Sequence, residues 1–249
     1  MDPTTATTAT TTMETTTEYY IPTADAQLHA RLVLPAAPIG VFIVSHGLLD
    51  SKDSKLFAAL QAMLAGESIG SLAFDFRGNG RSTGSTGYGN YLDEAEDLRR
   101  VVEHAAERHK VIGLIGHSKG ASSMLLFAAK YPYRCPPLVV SISARFFVGR
   151  EPPRRWKPEQ LEQLARDGRF MWRVHGSREY WITEEQLRLR RSTDMAAVRG
   201  LPLHRCFVLN VMGAQDRVVP EDDVLEYDRQ RPRANTLGCR RRPLLDTAL

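Results

Sequence analysis

"GLIGHSKGAS", residues 113 to 122, decides how this chain is read. The apolar run "VIGLIG" before it has the character of a buried strand, and "ASSMLLFAAK" after it has the character of a buried helix. Between them stands Gly116-His117-Ser118-Lys119-Gly120, a G-x-S-x-G. A serine on so tight a strand-to-helix turn is held with its hydroxyl exposed above the sheet. It also sits at a helix N-terminus, where free N–H groups favour developing negative charge. Ser118 is therefore the candidate nucleophile. Gly116 and Gly120 allow the sharp turn and the close approach of the helix. The N–H of Lys119 is one candidate oxyanion donor. The second is expected in the loop after the third strand, His46-Gly47-Leu48, at the N–H of Leu48.

Outward from this turn, strands and helices alternate. "EYYIP" and "QLHARLVL" suggest a hairpin, and "IGVFIVSHG" a strand buried on both faces. "SKLFAALQAMLAG" predicts a helix with Asp53 or Ser54 at its N-cap and Gly66 as its stop. "IGSLAFDF", "KVIGLIGH" and "PLVVSIS" are further strands. "YLDEAEDLRRVVEHAAERH" places Leu98, Val101, Val102, Ala105 and Ala106 on one helical face. The pattern predicts an α/β fold, a mostly parallel sheet flanked by helices, over residues 18–145 and 204–230. Residues 146–203 break the rhythm. They are charged and aromatic, with helical stretches, and read as a cap inserted over the sheet edge. "HRCFVLNVMGAQD" resumes the core, and "PEDDVLEYDRQ" is a short helix. Residues 1–17, "MDPTTATTATTTMETTT", form a Thr-rich lead-in without the apolar core of a signal peptide, and are expected to be disordered. Residues 231–249 are an irregular basic tail.

Composition bounds the function. The chain has 249 residues, 43% hydrophobic and 25% charged, an ordinary globular balance. No apolar run approaches the ~18 residues of a membrane-spanning helix. Cys135, Cys206 and Cys239 are widely spaced, with no CxxC. They predict free thiols in a reducing, cytoplasmic setting rather than a disulfide framework or zinc site. The net charge is +4, but six arginines against one aspartate between Arg229 and Leu249 more than account for it. The body is near neutral, which argues against a nucleic-acid partner. Oligomeric state is not legible.

Four stretches come in a telling order: "VSHGLLDSKDS", "FDFRGNGRS", "GHSKG" and "GAQDRVVP". Over about residues 18 to 230 the chain resembles the α/β-hydrolase superfamily, nearest its serine aminopeptidase-like and monoacylglycerol lipase-like esterases. The resemblance implies a Ser–Asp–His triad, no cofactor, a lid-like cap, and a small acyl ester or acylglycerol as substrate. Asp216 in "GAQDRVVP" takes the acid's place, orienting a histidine and stabilising its imidazolium. His46 and Gly47 belong to the supporting motif. Asp222 and Asp223 read instead as first-turn helix carboxylates. Asp75 and Arg77 brace a loop, and His104 and His109 are solvated residues rather than metal ligands. Trp156, Trp172 and Trp181 form either the cap's own small core or an apolar lid over an acyl chain or aromatic acid.

The triad order Ser, Asp, His requires a histidine after Asp216, yet the sequence has none beyond His204. "RPRANTLGCRRRPLLDTAL" leaves no buried strand where the family has its last strand, histidine loop and final helix. This end reads as an alternative or aberrant one, with the last strand and helix missing. His117 should point away from Ser118, His204 should lie about 20 Å off, and His175 in the cap is the one substitute that could swing over the serine. Losing the histidine of a comparable triad costs about 10⁶ in kcat, roughly 8 kcal/mol. The alternative is a ligand-binding protein on a hydrolase scaffold. A role for the basic tail in binding an acidic partner ranks third. Without the last strand, "CFVLNVMG" should be a bare edge with uncovered apolar surface.

Overall fold

The computed structural model describes residues 14–151, 155–174, 178–213, 215–216 and 218–230. Strands β1 (Thr15–Pro22) and β2 (Gln27–Leu34) pair antiparallel, with Thr15 opposite Leu34. The Thr-rich lead-in is thus shorter than the sequence suggests. Thr15, Thr16 and Thr17 are strand residues, because β-branched side chains suit a pleated ladder that β2 extends to meet them. The rest of the lead-in up to residue 13, and the tail from 231, lie outside the described residues.

The core then follows the alternation. Strand β3 (Val41–Ser45) is buried at every position, and helix α1 (Lys55–Gly66) follows it. Ser54 takes the N-cap position of α1 without a side-chain capping bond. Next come β4 (Gly70–Phe74), α2 (Tyr91–Ala106), β5 (Val111–His117), α3 (Lys119–Lys130) and β6 (Leu138–Ile142). On α2, Leu98, Val101, Val102 and Ala105 are buried; Ala106, the last residue of the helix, is exposed.

The inserted segment is not purely helical. Helix α4 (Pro158–Asp167) ends at Gly168, whose φ of +68° is the left-handed turn that closes a helix. A hairpin of β7 (Arg169–Val174) and β8 (Arg178–Thr183) follows, then α5 (Glu184–Ser192) and a 3₁₀ turn at Met195–Gly200. The hairpin escapes a helical reading because its apolar positions alternate: Phe170 pairs with Ile182, and both are fully buried. Trp156 and Trp172 do not make a core for the cap alone. They pack with Tyr88 and Phe170, and Leu48, from the loop after β3, joins the same cluster. Trp181 is 43% exposed.

Strand β9 (Phe207–Val211) and helix α6 (Glu221–Gln230) complete the described chain. The main sheet has the order β1-β2-β4-β3-β5-β6-β9, with β4, β3, β5, β6 and β9 parallel. Period-two alternation sorts its side chains. Val41, Ile43, Leu114, Val139 and Val208 face the core shared with α2 and α3, while Phe42, Val44 and Ile115 face Phe57 and Leu64 of α1. Among the described residues β9 is an edge strand, and nothing covers its α1-side face: Phe207, Leu209 and Val211 are 37%, 45% and 40% exposed.

That row has a consequence for solution behaviour. An apolar edge without a charge or proline invites association. Leu209→Lys is expected to reduce self-association measured by light scattering while changing stability by no more than about 0.5 kcal/mol, the usual effect at an exposed site. A fall in Tm with no change in scattering would contradict this.

Candidate active site

The ends of β3, β5, β6 and β9 meet at the C-terminal edge of the sheet, where parallel α/β sheets leave a binding crevice. Strand β5 passes into α3 at Ser118, whose backbone sits at φ +52° and ψ −120°. A side-chain-bearing residue is strained there by about 1–3 kcal/mol. Neighbouring elements hold it. The Ser118 N–H donates to the Ile142 carbonyl at 2.8 Å, and the Ser122 N–H donates to the Ser118 carbonyl at 3.1 Å. Packing demands the glycines. A Cβ at Gly120 would stand 2.1 Å from the His46 carbonyl oxygen, and one at Gly116 would stand 2.7 Å from Ala121 Cα. A Cβ at Gly47 would come 3.2 Å from Ser118 Cβ, so the loop carrying Leu48 lies directly beside the serine. Lys119 opens α3, and its N–H therefore has no acceptor one turn back in the helix.

His46 fixes that loop. It is buried, its Nδ1–H donates to the Gly47 carbonyl at 2.8 Å, and its Nε2 accepts the Phe76 N–H at 3.0 Å. A carbonyl can only accept and an N–H only donate, so the ring is neutral with its proton on Nδ1. Burial pushes its pKa down, against the Gly47 hydrogen bond and the Asp75 and Asp50 carboxylates. Asp75 is fully buried and accepts the N–H groups of Lys52 and Arg81 at 2.7 and 3.0 Å. Arg77 pairs with Asp97 at 2.7 Å. Both brace the loops around the site.

Asp216 follows β9. Its Oδ1 accepts the N–H groups of Val218 and Val219 at 2.8 and 2.9 Å, and its Oδ2 accepts the Ser143 hydroxyl at 2.9 Å. Burial pulls its pKa up, but the Val219 and Val218 N–H groups, Ser143 and His117 outweigh that and hold the carboxyl below its ordinary value. Ser143 escaped the sequence reading, since nothing marks it except its place after β6. It has a φ of +50°, and its N–H donates to the Val211 carbonyl at 2.8 Å. Asp223 is a first-turn carboxylate as expected, with a further role. It lies in the first turn of α6, yet it is buried, accepting the Phe146 and Phe147 N–H groups at 2.6 and 2.7 Å and pairing with Arg145 at 3.3 Å.

Ser118 and Asp216 follow strands two places apart in the sheet, a separation of about 10 Å. Among the described residues no histidine bridges them. His46 has both ring nitrogens engaged. His29 lies 3.8 Å from Glu18, His104 stacks on Tyr19, His109 follows α2, and His204 is exposed ahead of β9. His117 sends its ring to the α1 side, against Phe57. Its Nδ1 is buried without a partner, and burial lowers its pKa against the pull of Asp50 and Asp216. His175 lies outside the described residues. Among the described residues no group of three or more His, Cys, Asp or Glu could hold a metal ion, and no helix is long and apolar enough to cross a membrane.

Comparison with known proteins agrees with this architecture. The sequence profile of the family "Serine aminopeptidase, S33" matches residues 36–227. The chain belongs to that family, a hydrolase group of the α/β-hydrolase fold. It is 32% identical over 107 residues to the monoacylglycerol lipase of Mycolicibacterium smegmatis, a match spanning 42% of this chain and only 38% of the lipase. Among solved structures it is similar to Est1E from Butyrivibrio proteoclasticus, determined with ferulic acid bound, at a TM-score of 0.70 and 20% identity over 86% of this chain and 85% of that one. It is also similar to the α/β hydrolase GrgF from Penicillium sp. sh18, at a TM-score of 0.71 and 17% identity over 89% and 87%. These structural likenesses concern the fold.

The neutral state of His46 gives a pH test. Its folded-state pKa is depressed, so its contribution to stability is complete above the unfolded value of about 6.5 and is lost as pH falls through the folded value. His29 and His117 are shifted the same way. His46→Asn is expected to lower stability by about 1–3 kcal/mol at pH 8 through the orphaned Phe76 N–H. It should also flatten the loss of Tm below pH 6.5. A variant whose Tm falls with acid as steeply as the wild type would refute the neutral assignment.

Proposed function

We propose that this chain carries a carboxylic-ester hydrolase site with Ser118 as nucleophile, the Leu48 and Lys119 N–H groups as oxyanion donors, and Asp216 as the acid member. The observation that carries the reading is the strained, left-handed backbone at Ser118 between a buried strand and a helix N-terminus. Ser118 Oγ attacks the ester carbonyl carbon, and the carbonyl electron pair moves onto oxygen between the two N–H donors. Collapse of that intermediate expels the alcohol, and water then releases the acid. An amide follows the same path with an amine leaving. The serine proton needs a base, and His175 in the cap is the histidine left to test. Without a base, the oxyanion donors and binding sustain about 10³–10⁴ over the uncatalysed reaction, far below a complete triad.

A small acyl ester or acylglycerol is the substrate class. The aromatic cluster of Trp156, Trp172 and Tyr88 meets Leu48, which supports an apolar or aromatic acyl group beside the oxyanion loop. The lipase likeness and the ferulic acid held by Est1E point the same way. Cys135 and Cys206 are buried thiols outside any disulfide among the described residues, which supports a reducing, cytoplasmic setting. A second reading is a ligand-binding protein without turnover. It is favoured by Asp216, whose carboxylate is satisfied by Ser143 and two backbone N–H groups with no histidine.

Steady-state hydrolysis of p-nitrophenyl esters with short aliphatic and aromatic acyl groups tests the proposal. The expected result is a rate above the level of about 10³–10⁴ over background that donors and binding sustain alone, falling to that level in Ser118→Ala. It should fall to the same level in His175→Ala if the cap histidine serves as base. Equal rates for wild type and Ser118→Ala would overturn the catalytic reading and leave ligand binding.

A further inference from the structure

Lys119 carries more than a backbone donor. Its side chain is buried, and all three of its N–H groups have acceptors. One donates to the Gly87 carbonyl at 2.8 Å, one to Asn90 Oδ1 and one to Glu94 Oε1. The ammonium also lies 5.3 Å from the centre of the Tyr91 ring. Glu94 is buried as well, and its Oε2 accepts the Ser123 hydroxyl at 2.8 Å, one turn further along α3. A buried lysine–glutamate pair is a poor way to gain stability. Desolvating two charges offsets most of their attraction, and apolar residues of similar volume hold helices together at least as well. What the pair supplies is direction, because three fixed acceptors define where Lys119 must sit.

The segment that provides those acceptors is also the one the cap grips. Gly89 lies against the backbone of α5, where a Cβ would come 2.2 Å from the Gln186 carbonyl oxygen and 2.6 Å from the Arg190 nitrogen. Tyr88 is fully buried, its ring centre 5.5 Å from that of Trp156 and 5.9 Å from that of Trp172. Arg190 of α5 lies over Tyr88 at 4.4 Å and donates to the Tyr91 hydroxyl. The Tyr180 hydroxyl, from β8, donates to the Thr86 carbonyl at 3.2 Å. A continuous set of contacts thus runs from the cap through residues 86–91 to the side chain of Lys119, whose backbone N–H is the proposed oxyanion donor.

We infer that Lys119, clamped by Gly87, Asn90 and Glu94, is a positioning residue that sets its own backbone oxyanion donor in place only when the cap is seated on residues 86–91. The inference rests on the proposed role of Ser118 and its oxyanion donors, and adds a coupling between cap and oxyanion hole. It assigns a function to a charge that the hydrolytic reaction does not itself use.

The test is the neutral pair Lys119→Met with Glu94→Gln, which leaves no unpaired buried charge and preserves side-chain volume. The expected outcome is a Tm equal to or above that of the wild type, KM little changed, and kcat for a short p-nitrophenyl ester lower by about 10-fold or more, short of the 10²–10³ of deleting a donor outright. A merely structural pair would lower Tm and leave kcat per folded molecule unchanged, and that result would overturn the inference. Amide hydrogen exchange gives a readout independent of turnover. Residues 86–91 and 118–122 should exchange faster together in the double variant; unchanged exchange would also overturn it. If the wild type shows no Ser118-dependent hydrolysis, the proposed function fails, and the exchange measurement alone decides whether the clamp exists.

Discussion

No side chain fits at position 120. A Cβ there would meet the His46 carbonyl oxygen at 2.1 Å, so helix α3 lies on the end of β3 as closely as two backbones allow. The rest of the site depends on that approach. It sets the first turn of α3 beside the 46–48 loop, and the Ser45–Gly116 register carries the same alignment through the sheet. The loop is then held from its other side by the His46 ring on Phe76, and the 75–82 turn by Asp75. Backbone strain at Ser118 persists because both flanking elements are fixed independently of it.

Much of this was legible from the residue pattern. Parallel strands buried on both faces read as continuous apolar runs, and β3, β4 and β5 did so. The G-x-S-x-G between strand and helix, followed at the right distance by Asp216, defined the edge where chemistry could occur. Other parts were hidden for identifiable reasons. The β7–β8 hairpin sits among charged residues, so its short alternation is masked by the helical flanks. Ser143 and the Glu94–Lys119 pair are polar contacts between segments 73 and 25 residues apart, and single-chain periodicity carries no such information. Asp223 resembles any acidic residue of a first helical turn until burial shows it holding the loop after β6.

The bare edge and the unbridged serine belong together. A strand and helix beyond β9 would cover Phe207, Leu209 and Val211 and would deliver a side chain between Ser118 and Asp216. Among the described residues α6 follows β9 but no further strand pairs with β9, and the same face is open at 37–45% exposure. Asp216 is nevertheless held in its charged form by three donors, so the acid position does not depend on a histidine for its geometry. In the proposed reading the site is preorganised around Ser118 and the 46–48 loop, and among the described residues no histidine stands between Ser118 and Asp216.

Whether Ser118 is activated at all is the point on which this account stands. The direct measurement is intact mass, with peptide mapping, of the folded chain after exposure to a fluorophosphonate, beside Ser118→Ala. The account predicts a single phosphonyl adduct at Ser118, formed slowly compared with a complete triad and absent from the variant. A folded wild-type chain that takes up no label, or takes it up equally in Ser118→Ala, would contradict it.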